Sequence, residues 1–242
     1  MIYISKGHAS SEIVQEINRV KRDNDWGKVR PSDSETARAV FDQIDKGMIR
    51  KQLLTEQKQL CAYCMRRIGR EENDMSIEHW LPISADATKA LDYNNIMLCC
   101  DGGRRASSMP HVTCCDAAKG DRIIKISPYK RDQMEKIRYR SDGTIHIYPA
   151  DIDLQHDIDY VLKLNGEVDK DGKMISDTST GLVYGRKQVY RYYHEYILLL
   201  KKKGKISAAT IRKKIDELTQ ADEQKEFVGV WLYFLKRKLK SI

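Results

Sequence analysis

No run of apolar residues in this chain approaches the ~20 needed to cross a bilayer. The longest, Phe227 to Leu235, is interrupted by Gly229 and followed by Lys236, Arg237 and Lys238, so no membrane partner is expected. Residues 1–6 lack the long apolar segment of a secretory signal, and the chain has neither an internal repeat nor a low-complexity tract. A soluble, cytoplasmic protein is expected. Acidic residues are the minority: 35 Asp and Glu against 43 Lys and Arg give a formal net charge of +8. That excess is mild and spread along the chain, which inclines it towards polyanionic partners without naming one. With 242 residues, 41% hydrophobic and 32% charged, there is enough for one sizeable core or two small ones, which excludes a disordered tail or a fibre.

Helical periodicity dominates both ends. Ile13, Val14, Ile17 and Val20 predict a helix over 10–24, capped by Ser10 or Ser11. A second periodic stretch over 35–59, entered through Ser32, Asp33 and Ser34, carries Ala37, Val40, Phe41, Ile44, Met48, Leu53 and Leu54. Residues 60–125 break this pattern with β-like runs over 75–83 and 96–100 and a Gly/Arg/Ser loop over 101–108. Alternation of Ile137, Tyr139, Ile145 and Ile147 around Ser141-Asp142-Gly143 predicts a hairpin, because Asp-Gly tolerates the positive φ angles of a tight turn. Three further helices are expected over 150–164, 182–203 and 206–241, the last broken near 220–222, with a flexible loop over 166–180. The fold class is therefore α+β: a mostly helical frame, divided as 1–59, 60–130 and 131–242 and packed as one unit, around a cysteine-organised middle segment.

All six cysteines lie between Cys61 and Cys115. In a reducing compartment such clustered thiols bind metal or do redox chemistry. Cys61-Ala-Tyr-Cys64 is a C-x-x-C turn, which lets two thiolates face one tetrahedral ion. The vicinal pairs Cys99-Cys100 and Cys114-Cys115 should give one ligand each, since adjacent side chains rarely reach the same small ion. Cys100 leads into the turn Asp101-Gly102-Gly103, and Cys115 sits in the first turn of a short helix, so the expected zinc ligands are Cys61, Cys64, Cys100 and Cys115. Such a closed set is structural. A redox role would need a C-x-x-C that opens a helix after a strand; here the pair follows a helix and precedes Arg66 and Arg67.

Between the cysteine halves lies Ile77-Glu78-His79-Trp80-Leu81-Pro82. On a strand Glu78 and His79 point to opposite faces, so a shared site needs a bend or a metal; otherwise His79 is a hydrogen-bonded residue at a sheet edge. Together, Cys61-Ala-Tyr-Cys64, Glu78-His79, Asn95 five positions before Cys100, and Cys115-Asp116-Ala117-Ala118-Lys119-Gly120 resemble the HNH endonuclease superfamily and its ββα-metal unit. The resemblance implies that His79 is general base on water, that Asn95 orients that histidine or its loop, and that Glu78 and Asp116 hold one Mg²⁺ or Mn²⁺ beside the structural zinc. Two departures stand out. Asp116 occupies a position that is usually Asn or His, and a loop containing Arg104, Arg105 and His111 separates Cys100 from Cys115.

The wider likeness is to the HNH nuclease subunits of Septu anti-phage systems and the similar nucleases of some retrons. It runs through Ile4-Ser5-Lys6, Leu60-Cys61-Ala62-Tyr63-Cys64, Tyr93-Asn94-Asn95, Cys100-Asp101-Gly102, Lys119-Gly120-Asp121, Ser127-Pro128, Leu162-Lys163-Leu164-Asn165 and Arg186. It implies an ABC-type ATPase partner in a defence complex and DNA, or RNA, as substrate.

A neutral histidine can accept a proton from water near neutral pH, and hard carboxylate oxygens suit Mg²⁺ while thiolates keep the zinc. Arg104, Arg105, Lys119 and Arg122 are the expected phosphate contacts, with Arg66 and Arg67 nearby; a solvated basic face is the competing view. Lys201-Lys202-Lys203 and Lys236-Arg237-Lys238 read as solvated helix ends. Tyr192, Tyr193, Tyr196, Trp231, Tyr233 and Phe234 read as packing residues. A different class stays open: a zinc-stabilised nucleic-acid-binding or adaptor subunit without catalysis.

Overall fold

The computed structural model describes residues 1–71, 73–107 and 109–242; Ser108, the last residue of the expected Gly/Arg/Ser loop, lies outside them. α1 (Ser11–Asp23) starts where Ser10 accepts the N–H of Ile13 (3.4 Å) and buries Ile13, Ile17 and Val20. Val14, expected on that stripe, is 44% exposed. The predicted single helix over 35–59 is two. α2 (Ser34–Asp42) stops before Asp45, whose carboxylate accepts the N–H of Gly47 (2.8 Å) and starts α3 (Lys46–Glu56). Asp as a cap and Gly in a first turn both favour a break, and the apolar period across it hides the signal.

β1 (Met75–His79) and β2 (Ile96–Cys100) pair antiparallel, with Met75 opposite Cys100 and His79 opposite Ile96. Every β2 residue is buried. α4 (Cys115–Lys119) packs on β2, completing a ββα unit. After α5 (Arg131–Met134), the predicted hairpin forms as β3 (Ile137–Tyr139) and β4 (Ile145–Ile147). Gly143 there has φ +92°, and a Cβ on it would lie 2.1 Å from the Val183 carbonyl oxygen, so only glycine fits.

The predicted helix over 150–164 is shorter: α6 (Ile152–His156) runs into one π-helical turn, Asp157–Val161. The expected loop over 166–180 contains a small ribbon, β5 (Glu167–Val168) with β6 (Met174–Ser176). α7 (Leu182–Lys202), α8 (Ala208–Gln220) and α9 (Val228–Leu239) finish the frame, and α9 packs against both α7 and α8. One continuous apolar cluster runs from Met1 to Leu235 and includes the cysteines; a small satellite holds Ala37, Ile83, Ala87 and Ala90. Among the described residues no helix is long and apolar enough to cross a membrane.

Candidate metal centre and candidate active site

The cysteine cluster is assembled from three chain segments. Beyond α3, Lys58 (φ 52°) and Gln59 (φ 60°) adopt left-handed backbone and turn the chain into the knuckle. Cys61 N–H donates to the Arg66 carbonyl (2.8 Å) and Met65 N–H to that of Cys61 (3.0 Å), while Arg66 N–H points at Cys64 Sγ (3.4 Å). The buried amide of Gln57 sews this turn to β2: it accepts from Leu98 N–H (2.8 Å) and donates to the carbonyls of Leu60 and Leu98 (2.9 Å each). Past Cys100, a Cβ on Gly102 (φ +65°) would lie 2.3 Å from the Cys114 carbonyl oxygen. That close approach sets Cys115 against the end of β2.

The Sγ atoms of Cys61, Cys64, Cys100 and Cys115 all lie within 4.8 Å of one another, and all four residues are buried. Cys61 is 3.8 Å from Cys115 and Cys64 is 3.7 Å from Cys100. Four sulfurs at about 2.3 Å from a tetrahedral ion stand about 3.8 Å apart, so the set could hold a zinc ion with little adjustment. Cys99 is buried outside the set, and Cys114 Sγ contacts Thr180 Oγ1 (3.7 Å).

Arg186, 1% exposed, donates from Nε to the Gly143 carbonyl (2.6 Å) and from Nη2 to that of Leu164 (2.6 Å), whereas its Nη1 has no partner among the described residues. Burial pulls its pKa down; Tyr139, Asp177, Cys64 and Cys114 act the other way. A zinc-loaded tetrathiolate carries a charge of −2, and this guanidinium offsets part of it, so the surroundings as well as the sulfur donors fit the ion.

Ser76 and Glu78 share one face of β1, the face towards α4. Ser76 Oγ donates to Asp116 Oδ2 (3.0 Å), which also accepts from Arg104 Nη2 (3.1 Å). Glu78 Oε1 accepts from Tyr63 OH (3.2 Å) and pairs with the ammonium of Lys119 at 2.7 Å, with both side chains buried. Burial first, and the carboxylate of Asp116 second, push the Glu78 carboxyl up to about 8, and Lys119 opposes them. Glu78 Oε2 accepts no hydrogen bond among the described residues.

His79 ends β1. Its Nε2 lies 3.0 Å from the Ala90 carbonyl, which can only accept, so Nε2 carries the proton and Nδ1 the lone pair. Among the described residues Nδ1 has no partner, and the ring is half-buried. The ring stands edge-on to Phe41 (4.7 Å between centroids). Burial lowers its pKa; Lys119 and Arg38 act in the same direction, Ala90 and Asp116 against it. Glu78, His79 and Asp116 do not draw their ligand atoms as close as the cysteines do, and among the described residues the four cysteines are the one such group.

Compared with family models and with curated proteins, the chain matches none.

Asn95 makes no hydrogen bond to the imidazole among the described residues; it holds the loop that follows. Its Oδ1 accepts Leu81 N–H (2.8 Å), its Nδ2 donates to the carbonyls of Leu81 (2.9 Å) and Lys89 (3.3 Å), and its own carbonyl accepts Trp80 N–H (2.8 Å). Asn95→Ala orphans both backbone groups of Leu81 and is expected to cost roughly 2–3 kcal/mol in urea unfolding.

Lys119, expected on a phosphate-facing surface, is 1% exposed and bonded to Glu78 and to the His79 carbonyl (3.1 Å). Asp116 and Lys119 stand three apart on one helical turn, a spacing that puts both side chains over β1 and was readable in the sequence. Lys119→Met removes the cation beside Glu78, whose carboxyl is already pushed up to about 8. It should therefore destabilise the chain more above that pH, where the carboxyl would be ionised, than at pH 7, where it is mostly neutral; denaturant unfolding at both pH values measures the difference. Arg122 is committed to carbonyls: it donates to those of Lys119, Ala118, Tyr160 and Val161, tying α4 to the π-helical turn. Arg66 donates to the Thr180 carbonyl, and Arg67 engages Glu223 and the Gln224 carbonyl. Arg104 and Arg105 remain exposed, Arg104 paired with Asp116 and Arg105 bonded to the Asn73 carbonyl (2.9 Å).

Proposed function

We propose that the chain is an HNH-type endonuclease that hydrolyses phosphodiester bonds of nucleic acid, DNA in the first instance, with a structural zinc and a catalytic Mg²⁺ or Mn²⁺. The observation that carries this reading is a histidine with its Nε2–H tied to a carbonyl and no partner on Nδ1, on a strand whose preceding residue, Glu78, shares a face with Ser76, the hydrogen-bond partner of Asp116, while the pairing strand ends and the following helix starts in a four-sulfur cluster. Zinc fixes the end of β2 and the start of α4, and thereby the distance between Asp116 and β1. Glu78 Oε2 and Asp116 are the oxygens that would hold the divalent ion, and their mutual repulsion is what a cation relieves. When bound, that ion would polarise a phosphate oxygen and stabilise the leaving 3′ oxygen. His79 Nδ1 takes the proton of the attacking water, and Asn95 keeps the loop behind the ring in place. Arg104 and Arg105, at the open side of Asp116, hold flanking phosphates.

The resemblance to Septu and retron nucleases adds an ABC-type ATPase partner and an anti-phage role to this reading. Co-purification of the two subunits is its test.

A second reading, a zinc-clamped subunit that binds nucleic acid without cutting it, is favoured by one observation: Lys119 already neutralises Glu78, so the carboxylate is balanced without a metal. Incubation of the purified chain with supercoiled plasmid and with single-stranded RNA, with and without Mg²⁺ and with and without the partner, separates the two. Metal-dependent nicking supports the enzyme; intact nucleic acid under every condition supports the binding subunit.

A further inference from the structure

Two adjoining clefts of ≈580 Å³ and ≈780 Å³ share Arg138, Tyr139, Tyr233 and Arg237 as walls. They run from the β3–β4 hairpin along α9 to the N-terminal segment. None of the residues placed in the candidate active site lines them. Six cations, Arg131, Arg138, Arg140, Lys236, Arg237 and Lys240, face two carboxylates, Glu135 and Asp142. Asp142 is already occupied by the N–H and hydroxyl of Thr144. Among the described residues none of the six cations takes part in an ion pair. Like charges gathered in a concave surface repel, and the arrangement becomes favourable when a polyanion lies in it.

The aromatic residues narrow the polyanion. Tyr148 is 63% exposed, with the Arg138 guanidinium 5.9 Å from its ring centre. Tyr233 carries the Arg237 guanidinium 5.7 Å from its ring. Tyr148 is exposed enough to offer a π-face to a base next to the Arg138 charge, whereas Tyr233 is half-buried against Tyr139 and Phe234 and lends its ring to the Arg237 cation. An exposed aromatic beside phosphate-binding cations is how single strands are held without sequence readout. Paired bases have no free face to present, and a flat anionic bilayer does not enter a cleft. Tyr233, read from sequence as packing, and the Lys236-Arg237 end of α9, read as a solvated terminus, thus form one groove.

We propose that this groove binds single-stranded nucleic acid, apart from the His79 site. The proposal stands on the groove alone and holds whether or not the chain cuts its substrate.

The test is fluorescence anisotropy with a labelled oligothymidylate of about 16 nucleotides, titrated over a range of salt without added divalent ion, so that cleavage does not enter. Arg140 and Arg237 are exposed, so Arg140→Ala with Arg237→Ala should leave zinc content and circular dichroism unchanged. The double variant is expected to bind at least tenfold more weakly, with a log–log salt slope shallower by about 1.4, two phosphate contacts' worth. Tyr148→Ala should weaken binding roughly 5- to 100-fold with the slope unchanged. Affinity and slope both unaltered in the double variant would overturn the proposal. So would equal binding of polyglutamate of the same length together with no effect of Tyr148→Ala, which would make the groove a docking surface for an acidic protein. A chain that binds the oligonucleotide through these residues and never cleaves defeats the nuclease reading and leaves the groove standing.

Discussion

Cys64→Ser is expected to remove the metal and to lower the melting temperature by roughly 10–20 °C. The four thiol sulfurs are buried within 4.8 Å of one another, and they join three segments otherwise tied by the Gln57 amide, a few backbone hydrogen bonds and the contacts of α4 with β1. β1 and β2 form an isolated two-stranded sheet, and α4 has five residues, too few for a helix to persist by its own propensity. Structural zinc contributes about 10–16 kcal/mol of binding free energy in small peptides, comparable with the whole stability of a typical domain. Here the cluster sits inside a larger core, so part of the chain should stay folded without it. A loss of about 5 kcal/mol translates into the expected shift for a chain of this length. The check is elemental analysis with thermal unfolding: about one zinc per wild-type chain, and far less in Cys64→Ser. Cys99→Ala, which removes a buried thiol outside the cluster, should keep its zinc. Equal zinc in wild type and Cys64→Ser would refute the ligand assignment.

His79→Ala is expected to reduce Mg²⁺-dependent cleavage by roughly 10²- to 10⁴-fold, the contribution of a positioned general base. The imidazole is held at Nε2 by the Ala90 carbonyl and at its edge by Phe41. It has no contact with the cysteines, so zinc content should not change. Added imidazole should restore part of the activity by entering the space the side chain leaves. That rescue separates loss of a proton acceptor from loss of local structure. Cleavage at the wild-type rate in the variant would place the base elsewhere.

Much of the cysteine cluster was legible because it is local. The C-x-x-C turn, the vicinal pairs and the Asp101-Gly102 turn together select Cys61, Cys64, Cys100 and Cys115, and the structure brings the same four together. The Asp142-Gly143 hairpin and the β1 and β2 runs were legible for the same reason, since period and turn chemistry act within a few residues. Gln57, Tyr63 and Arg186 were not singled out for the contacts they make. Each is a polar or aromatic group whose partner lies far along the chain, as Gln57 does with Leu98 and Arg186 with Gly143. Lys119 shows the cost of reading charge without burial: a lysine in a basic stretch reads as a phosphate contact until its ammonium is seen pinned on Glu78. The Arg138–Tyr148 and Arg237–Tyr233 pairs are each local, but that they line one groove was invisible for a related reason, because the groove joins a hairpin to a helix about 100 residues away in sequence.

The central claim is that a sulfur-bound ion holds a ββα unit in which Glu78 and Asp116 accept a second, oxygen-bound ion beside His79. A crystal of the chain soaked in Mn²⁺, with anomalous data collected at the zinc and manganese edges, tests it directly. The account predicts a zinc peak about 2.3 Å from the sulfurs of Cys61, Cys64, Cys100 and Cys115. It also predicts a manganese peak bonded to Glu78 and Asp116, with the Lys119 ammonium moved off Glu78. A manganese map empty at those carboxylates, with Lys119 still paired to Glu78, would contradict it.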